Sequence, residues 1–210
     1  MSDGKLISFE GIEGVGKSTT INLIREYLEA RGIEVYCTRE PGGTKFGESL
    51  RDILLNKKSV ITPEAELLII FSIRNQHIVE IIKPKLSQGT WVLCDRYIDA
   101  SIAYQGFGKG VDLKKIKSLI ELFTYNLMPD LTVFFDLKYE IAKKRFPKNK
   151  NKDRFEILDS EFFNKVYDGY MHQIKEHDNR ISIINANADK KNVFNQITLL
   201  LDKKFSFLYK

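Results

Sequence analysis

The octapeptide Gly11-Ile12-Glu13-Gly14-Val15-Gly16-Lys17-Ser18 sets glycines, a lysine and a hydroxyl residue in the order Gly-x-x-x-x-Gly-Lys-Ser. Glycines let the backbone turn tightly enough to aim successive N–H groups at phosphate oxygens, and a helix starting near Lys17 adds the positive end of its dipole. A lysine in that place reaches β- and γ-phosphates, and Ser18 is placed to ligate Mg²⁺. An apolar, strand-like run from Lys5 to Glu10 precedes the loop, which is the context a genuine phosphate loop requires. Residues Gly11, Ile12, Glu13, Gly14, Val15, Gly16, Lys17, Ser18 and Thr19 are therefore the expected nucleoside triphosphate site.

Other reactive side chains fall where apolar runs stop. Arg39-Glu40-Pro41-Gly42-Gly43 follows the second run, Asp95-Arg96-Tyr97 the third and Asp136 the fourth. In an open parallel sheet, ligands collect outside the carboxyl ends of the strands. Asp95 has the setting of a carboxylate that holds hydrated Mg²⁺. Asp136 competes for that role, but the adjoining Arg96 favours Asp95. Arg39, Arg51, Arg74 and Arg96 carry guanidinium forks suited to phosphate, and their number near strand ends implies a second phosphate-bearing ligand.

The elements that must position these groups alternate throughout. Apolar runs at Leu6–Phe9, Val35–Cys37, Trp91–Cys94, Leu131–Phe135 and Ile181–Ile184 read as buried parallel strands. Helical periodicity occupies Lys17–Arg31, Thr44–Asn56, Pro63–Leu86, Leu113–Asn126, Tyr139–Arg145, Ser160–Glu176 and Lys190–Lys203. The pattern is that of a doubly wound α/β fold. With 210 residues and 43% hydrophobic content, one well-buried core and a single domain over residues 1–210 are expected.

No stretch approaches the roughly 20 apolar residues needed to span a bilayer, and the first residues lack the regions of a signal peptide. A cytoplasmic protein with no membrane partner is the expectation. Cys37 and Cys94 sit in predicted strands without ligand spacing and read as buried free thiols, and the three histidines show no metal spacing. The net charge is +5, but between Lys138 and Arg154 eight basic residues face two acidic ones, so the rest of the chain is slightly acidic. A basic stripe for nucleic acid is thereby excluded. Beside a phosphate loop, the basic stretch at about residues 144–156 reads as a mobile lid that clamps phosphate.

The blocks Phe9-Glu10-Gly11-Ile12-Glu13-Gly14-Val15-Gly16-Lys17-Ser18-Thr19, Thr38-Arg39-Glu40-Pro41-Gly42-Gly43-Thr44, Asp95-Arg96-Tyr97 and Ser101-Ile102-Ala103-Tyr104-Gln105-Gly106 follow one another as in bacterial thymidylate kinases, which this chain resembles over nearly its whole length. The resemblance implies ATP-dependent phosphorylation of dTMP to dTDP, Mg²⁺ dependence, sheet order 2-3-1-4-5 and a homodimer packed through helices. It also implies roles. Glu13 would meet the acceptor's 3′-hydroxyl or its water shell, and Arg39, Arg51 and Arg96 would surround the acceptor phosphate or the transferring group, with Glu40 on the substrate side. Arg74 would bond the thymine O4 edge, Ser101 and Gln105 would border the base, and Tyr104 would lie under the deoxyribose. Ser18 and Asp95 would share the Mg²⁺ shell, and residues around Asn185–Ala188 would border adenine. Lys17, Arg96, Arg145 and Arg154 would serve the transfer itself.

This chain departs from the family pattern twice. The family's thymine-stacking phenylalanine lies four residues before the base-binding arginine, where Ile70 stands here; Phe71, three residues before Arg74, shares the helix face and is expected to reach the base instead. The lid keeps Arg145 and Arg154 but sets Lys148, Lys150 and Lys152 between them, so the cation that meets the transferred phosphoryl stays open, with Arg145 favoured. A kinase of the same fold acting on another nucleotide or nucleoside would share the loop and the arginines, and the Arg-Glu-Pro-Gly-Gly and Tyr-Gln-Gly blocks argue against it. A GTP switch would need Asn-Lys-x-Asp, and neither Asn56-Lys57-Lys58-Ser59 nor Asn149-Lys150-Asn151-Lys152 ends in aspartate.

Overall fold

The computed structural model describes residues 4–145, 154–155 and 158–205. Five parallel strands, β1 (Leu6–Glu10), β2 (Val35–Arg39), β3 (Trp91–Asp95), β4 (Leu131–Asp136) and β5 (Ile181–Asn185), form one sheet in the order β2-β3-β1-β4-β5. Each run predicted from the sequence is a strand, extended by one residue, or by two in β2, so that Glu10, Arg39, Asp95 and Asp136 belong to the strand ends. Register then gathers the chemistry: Phe9 is level with Asp95, and Asp95 with Arg39.

The central strands β1, β3 and β4 are buried on both faces. Side chains alternate between two cores, as the period of a strand requires. Ile7, Phe9 and Leu93 pack with α1 (Lys17–Glu29), whereas Leu6, Val92 and Cys94 pack with Ile78, Ile82 and Tyr97. Cys37 and Cys94 are free thiols.

Helix starts follow local chemistry. Thr44 accepts from the Gly47 N–H ahead of α2 (Lys45–Leu55), and Thr62 from Ala65 ahead of α3 (Pro63–His77). Helix α3 runs on through a π-helical stretch, Ile78–Ile82, into Lys83–Ser87, so residues 63–87 form one rod as its periodicity predicts. The wider turn lies just ahead of Pro84, whose missing N–H a regular ladder could not have used.

One element was not legible. Helix α4 (Ile98–Ser101, continuing as a π helix over Ile102–Gly108) carries Ser101, Tyr104 and Gln105. Its two glycines and short length hide any helical signal. Gly108 serves packing, since a Cβ there would meet the Phe162 ring at 2.7 Å, and so does Gly169 on the facing helix, where a Cβ would meet Ala103 Cα at 2.7 Å. Helix α4 therefore lies close against α7 (Ser160–Glu176), after α5 (Leu113–Phe123) and the short α6 (Tyr139–Ala142) with its 3-10 extension Lys143–Arg145. Helix α8 (Lys190–Lys204) closes the described chain beside α1.

Candidate functional site

The loop between β1 and α1 has the geometry its sequence implies. Gly16 sits at φ 99°, a left-handed conformation that costs glycine little, and leads into α1 at Lys17. Ile12 and Val15 are buried in the core beneath the loop. The Lys17 ammonium curls back over the loop, donating to the carbonyls of Gly11 at 2.9 Å and Ile12 at 3.0 Å. Burial first, and the Arg96 charge next, hold Lys17 below its ordinary value.

Ser18 Oγ donates to Asp95 Oδ2 at 3.3 Å, and Lys17 Nζ stands 3.9 Å from Asp95 Oδ1. That Oδ1 is buried and accepts no hydrogen bond among the described residues, so a carboxylate oxygen is left bare beside a hydroxyl, a donor set suited to Mg²⁺. Asp136, the rival for this role, is occupied by the Tyr167 hydroxyl at 2.9 Å.

Arg96 follows β3 with φ 69°, an uncommon backbone for a residue with a side chain and a sign of local strain. The turn swings its guanidinium under the phosphate loop. It donates to the Gly11 carbonyl at 2.8 Å, the Tyr170 hydroxyl at 3.2 Å and Glu13 Oε1 at 2.6 Å, and lies 4.8 Å from the centre of the Tyr104 ring. Tyr104 donates to the other Glu13 oxygen at 2.9 Å. Burial pushes the Glu13 carboxyl up, but Arg96 and Lys17 more than offset it and leave it below its ordinary value. Beneath them, Glu10 accepts from the Tyr97 N–H at 2.7 Å and the Tyr170 hydroxyl at 2.8 Å. Its carboxyl is pushed up to about 8, by burial first and by Asp99 second.

A second network stands across the cavity. Arg74, 2% exposed, donates Nε to Glu40 at 2.6 Å, one terminal nitrogen to Ser101 Oγ at 2.9 Å and the other to the Tyr97 carbonyl at 3.0 Å. Glu40 is shared with His77 Nδ1 at 3.1 Å, and His77 Nε2 meets Thr38 Oγ1 at 2.7 Å. Burial raises the Glu40 carboxyl, and Arg74 and His77 bring it below its ordinary value. Thr38, Glu40, Arg74 and His77 thus form one buried chain.

One cavity of about 480 Å³, a size suited to small ligands, joins both networks. Its wall includes Glu13, Lys17, Ser18 and Thr19 from the loop, Arg39, Glu40 and Arg51, and Asp95, Arg96, Ser101, Tyr104 and Gln105. Arg39 is half-exposed and paired with Glu48 at 2.7 Å, and Arg51 donates to the Pro41 carbonyl at 2.6 Å. Arg145 also lines the cavity and donates to the Ala186 carbonyl at 3.1 Å.

Two residues expected at the site lie elsewhere. Phe71 is not on the cavity wall; its ring packs with Leu67, Ile102, Val111 and Ile116, 4.9 Å beneath the Arg74 guanidinium, while Ile70 lines the cavity. The face shared by offsets of three and four is wide enough to separate lining from core. Arg154, expected at the transferring phosphoryl, instead donates to the Leu54 carbonyl at 2.9 Å and to the buried Glu66 carboxylate, because that carboxylate binds a cation more firmly than open solvent would. Lys148, Lys150 and Lys152, and most of the expected lid, lie outside the described residues.

Sequence reading missed Glu66, Lys109, Phe155 and Tyr170. Phe155 lines the cavity, its ring edge-on to Tyr104 at 6.3 Å. For Glu66 a signal existed: Glu66, Ile70 and Arg74 recur every fourth residue along α3, which keeps them on one stripe. For Tyr170 nothing in the sequence marks its reach across the sheet to Glu10.

A phosphate loop at the carboxyl end of the central strand of a 2-3-1-4-5 parallel sheet, facing an arginine-rich pocket that opens on the same cavity, defines a P-loop kinase of small phosphorylated acceptors. The family model described as Thymidylate kinase matches residues 9–197. Among curated relatives, a thymidylate kinase of Psychrobacter sp. (strain PRwf-1) is 44% identical, covering 94% of this chain and 96% of its own, and one of Methylococcus capsulatus is 45% identical with 89% of each covered. The crystal structure of thymidylate kinase from Ehrlichia chaffeensis is similar at a TM-score of 0.79 and 33% identity, covering 95% of this chain and 99% of that one. The chain belongs to the thymidylate kinase family.

Proposed function

We propose that the cavity transfers the γ-phosphoryl group of ATP to the phosphate of dTMP, yielding ADP and dTDP. The observation that carries this reading is the single cavity shared by the phosphate loop and the Arg74 network. In the transfer, the bond from the γ-phosphorus to its bridging oxygen breaks as an oxygen of the acceptor phosphate attacks in line. That acceptor is already an anion, so no general base is required, and the protein's task is to orient two anions and neutralise their charge.

Lys17 and the N–H groups of residues 11–19 hold the donor phosphates. Ser18 and Asp95 would hold Mg²⁺, which supplies positive charge to the phosphate oxygens when bound. Arg96, Arg39 and Arg51 face the acceptor phosphate, and Glu13 with Tyr104 the deoxyribose. Arg74 and Gln105, with Ser101, read the base against Ile70. Arg145, anchored on Ala186 at the end of β5, is the cation best placed to meet the transferring group.

The chain works as one domain in the cytoplasm, in keeping with the absence among the described residues of any helix long and apolar enough to cross a membrane. Leu68 and Val79 on the α3 rod and Leu122 and Phe123 at the end of α5 are exposed, which supports a homodimer packed through these helices. The test is ADP release measured across dTMP, dCMP, AMP, GMP and UMP with ATP and Mg²⁺. We expect dTMP to lead by about 10⁴ or more over dCMP, since cytosine sets an amino donor against Arg74. Comparable rates with dCMP or AMP refute the assignment.

A further inference from the structure

The base end of the cavity is backed by a carboxylate that the transfer does not use. Glu66, in the first turn of α3, is fully buried. Its Oε1 accepts from Gln105 Nε2 at 2.9 Å, and its Oε2 accepts from Lys109 Nζ at 2.6 Å and from the Arg154 guanidinium. A carboxylate lodged between two cations offers acceptors only. A primary amide has a donor end and an acceptor end, so a reversed Gln105 would press its carbonyl oxygen against a Glu66 oxygen. Two acceptors would then face each other away from water, with no proton between them. Gln105 is 3% exposed and lines the cavity together with Arg74.

We infer that Glu66 is a positioning residue for base selection: it holds the Gln105 amino group, so that the Gln105 carbonyl faces the cavity as an acceptor beside the Arg74 donors. The inference rests on reading this cavity as the acceptor nucleotide's site. A donor beside an acceptor suits a base that offers a ring carbonyl next to a ring N–H, as thymine does. Cytosine offers the reverse at both positions, an amino group next to a bare ring nitrogen. Without Glu66 the amide is free to rotate and present its amino group to that nitrogen, so selectivity falls even though Arg74 remains.

The test is steady-state kinetics with dTMP and dCMP on the parent, Glu66→Gln, Gln105→Ala and the double variant, each checked for folding by thermal melt. Glu66→Gln should cut the ratio of kcat/KM for dTMP over dCMP by about tenfold or more, through KM rather than kcat. Gln105→Ala should lose a similar factor, and adding Glu66→Gln to it should change the ratio no further. A carboxylate that only supports the fold would instead lower kcat for both nucleotides and leave their ratio alone, which overturns the inference.

Because Glu66→Gln can unfold, the parent supplies a second readout. The side-chain NH₂ signals of Gln105 in ¹⁵N-labelled protein, assigned by their loss in Gln105→Ala, should be protected from exchange before dTMP is added and keep their shifts afterwards. Signals that become protected only with dTMP would show the amino group facing the base and overturn the inference. If the parent fails to turn over dTMP, the reading of the cavity falls with it; dTMP turnover with unchanged selectivity in Glu66→Gln overturns only the role of Glu66.

Discussion

The arginines at the two ends of the cavity live under opposite conditions. Arg74, at the proposed base end, is 2% exposed and donates to a carboxylate, a hydroxyl and a carbonyl. Arg39, at the proposed phosphate end, is 52% exposed and rests on Glu48, itself half-open to solvent. A base is told from its rivals by the placing of one or two hydrogen bonds, which demands donors that cannot move. A phosphate is recognised by charge from many directions, so its cations can wait on surface carboxylates and exchange them for the ligand. Arg96 falls between the two, packed under the loop yet paired with Glu13. On the proposed reading, rigidity in this site follows what each end has to discriminate.

The comparison is tested most severely by Arg74→Ala. Truncation leaves the buried Glu40 with His77 as its remaining hydrogen-bond partner among those described, and breaking a buried ion pair costs about 3–5 kcal/mol. Denaturant titration should show a loss of that size, with activity toward dTMP lost as well. A variant that keeps its parent's stability would mean that the network is not a structural part of the base end.

Arg39→Ala should behave in the opposite way. An exposed ion pair contributes about 0–1 kcal/mol, so the melting curve should barely move, whereas kcat/KM for dTMP should fall by about 10²-fold, or roughly 2.7 kcal/mol. Equal loss of stability and activity would erase the distinction between the two ends.

A third test is a pH dependence at Glu10, beneath the Arg96 turn. Its carboxyl is pushed from an ordinary 4.5 to about 8, so the folded state holds a proton that the unfolded state releases. A raised carboxyl contributes stability that is fully present below pH 4.5 and lost as pH rises through about 8. Between pH 5 and pH 8, Glu10→Gln should therefore gain on its parent as pH rises. Linkage sets that gain at up to about 1.4 kcal/mol per pH unit across this window, and each 1 kcal/mol appears as roughly 2–4 °C in melting temperature. A constant difference across that range would show that Glu10 is ionised throughout.

Much of this site was legible because its signals are local. The phosphate loop is contiguous in sequence, and Thr62-Pro63 and Asp159-Ser160 announce their helices through side-chain caps and proline geometry that depend only on neighbours. Apolar runs ending in Glu10, Asp95 and Asp136 follow from the period of a doubly covered sheet. Helix α4 was illegible because its glycines lower helix propensity, and only packing against α7 through Gly108 and Gly169 repays that cost.

The sequence by itself determined the class of chemistry, since the residue types at strand ends and in the loop restrict what can bind there. Only the tertiary structure decided which side chains share the cavity. Ile70 and Phe71 are adjacent and both apolar, and nothing in their order says that the first lines the cavity while the second packs under Arg74. Arg154 is basic and close in sequence to the lid, yet it ends on Glu66, a residue 88 positions earlier. Burial of a carboxylate in α3 draws cations from wherever the fold brings them within reach. That is a property of three-dimensional proximity and desolvation, which no linear pattern encodes.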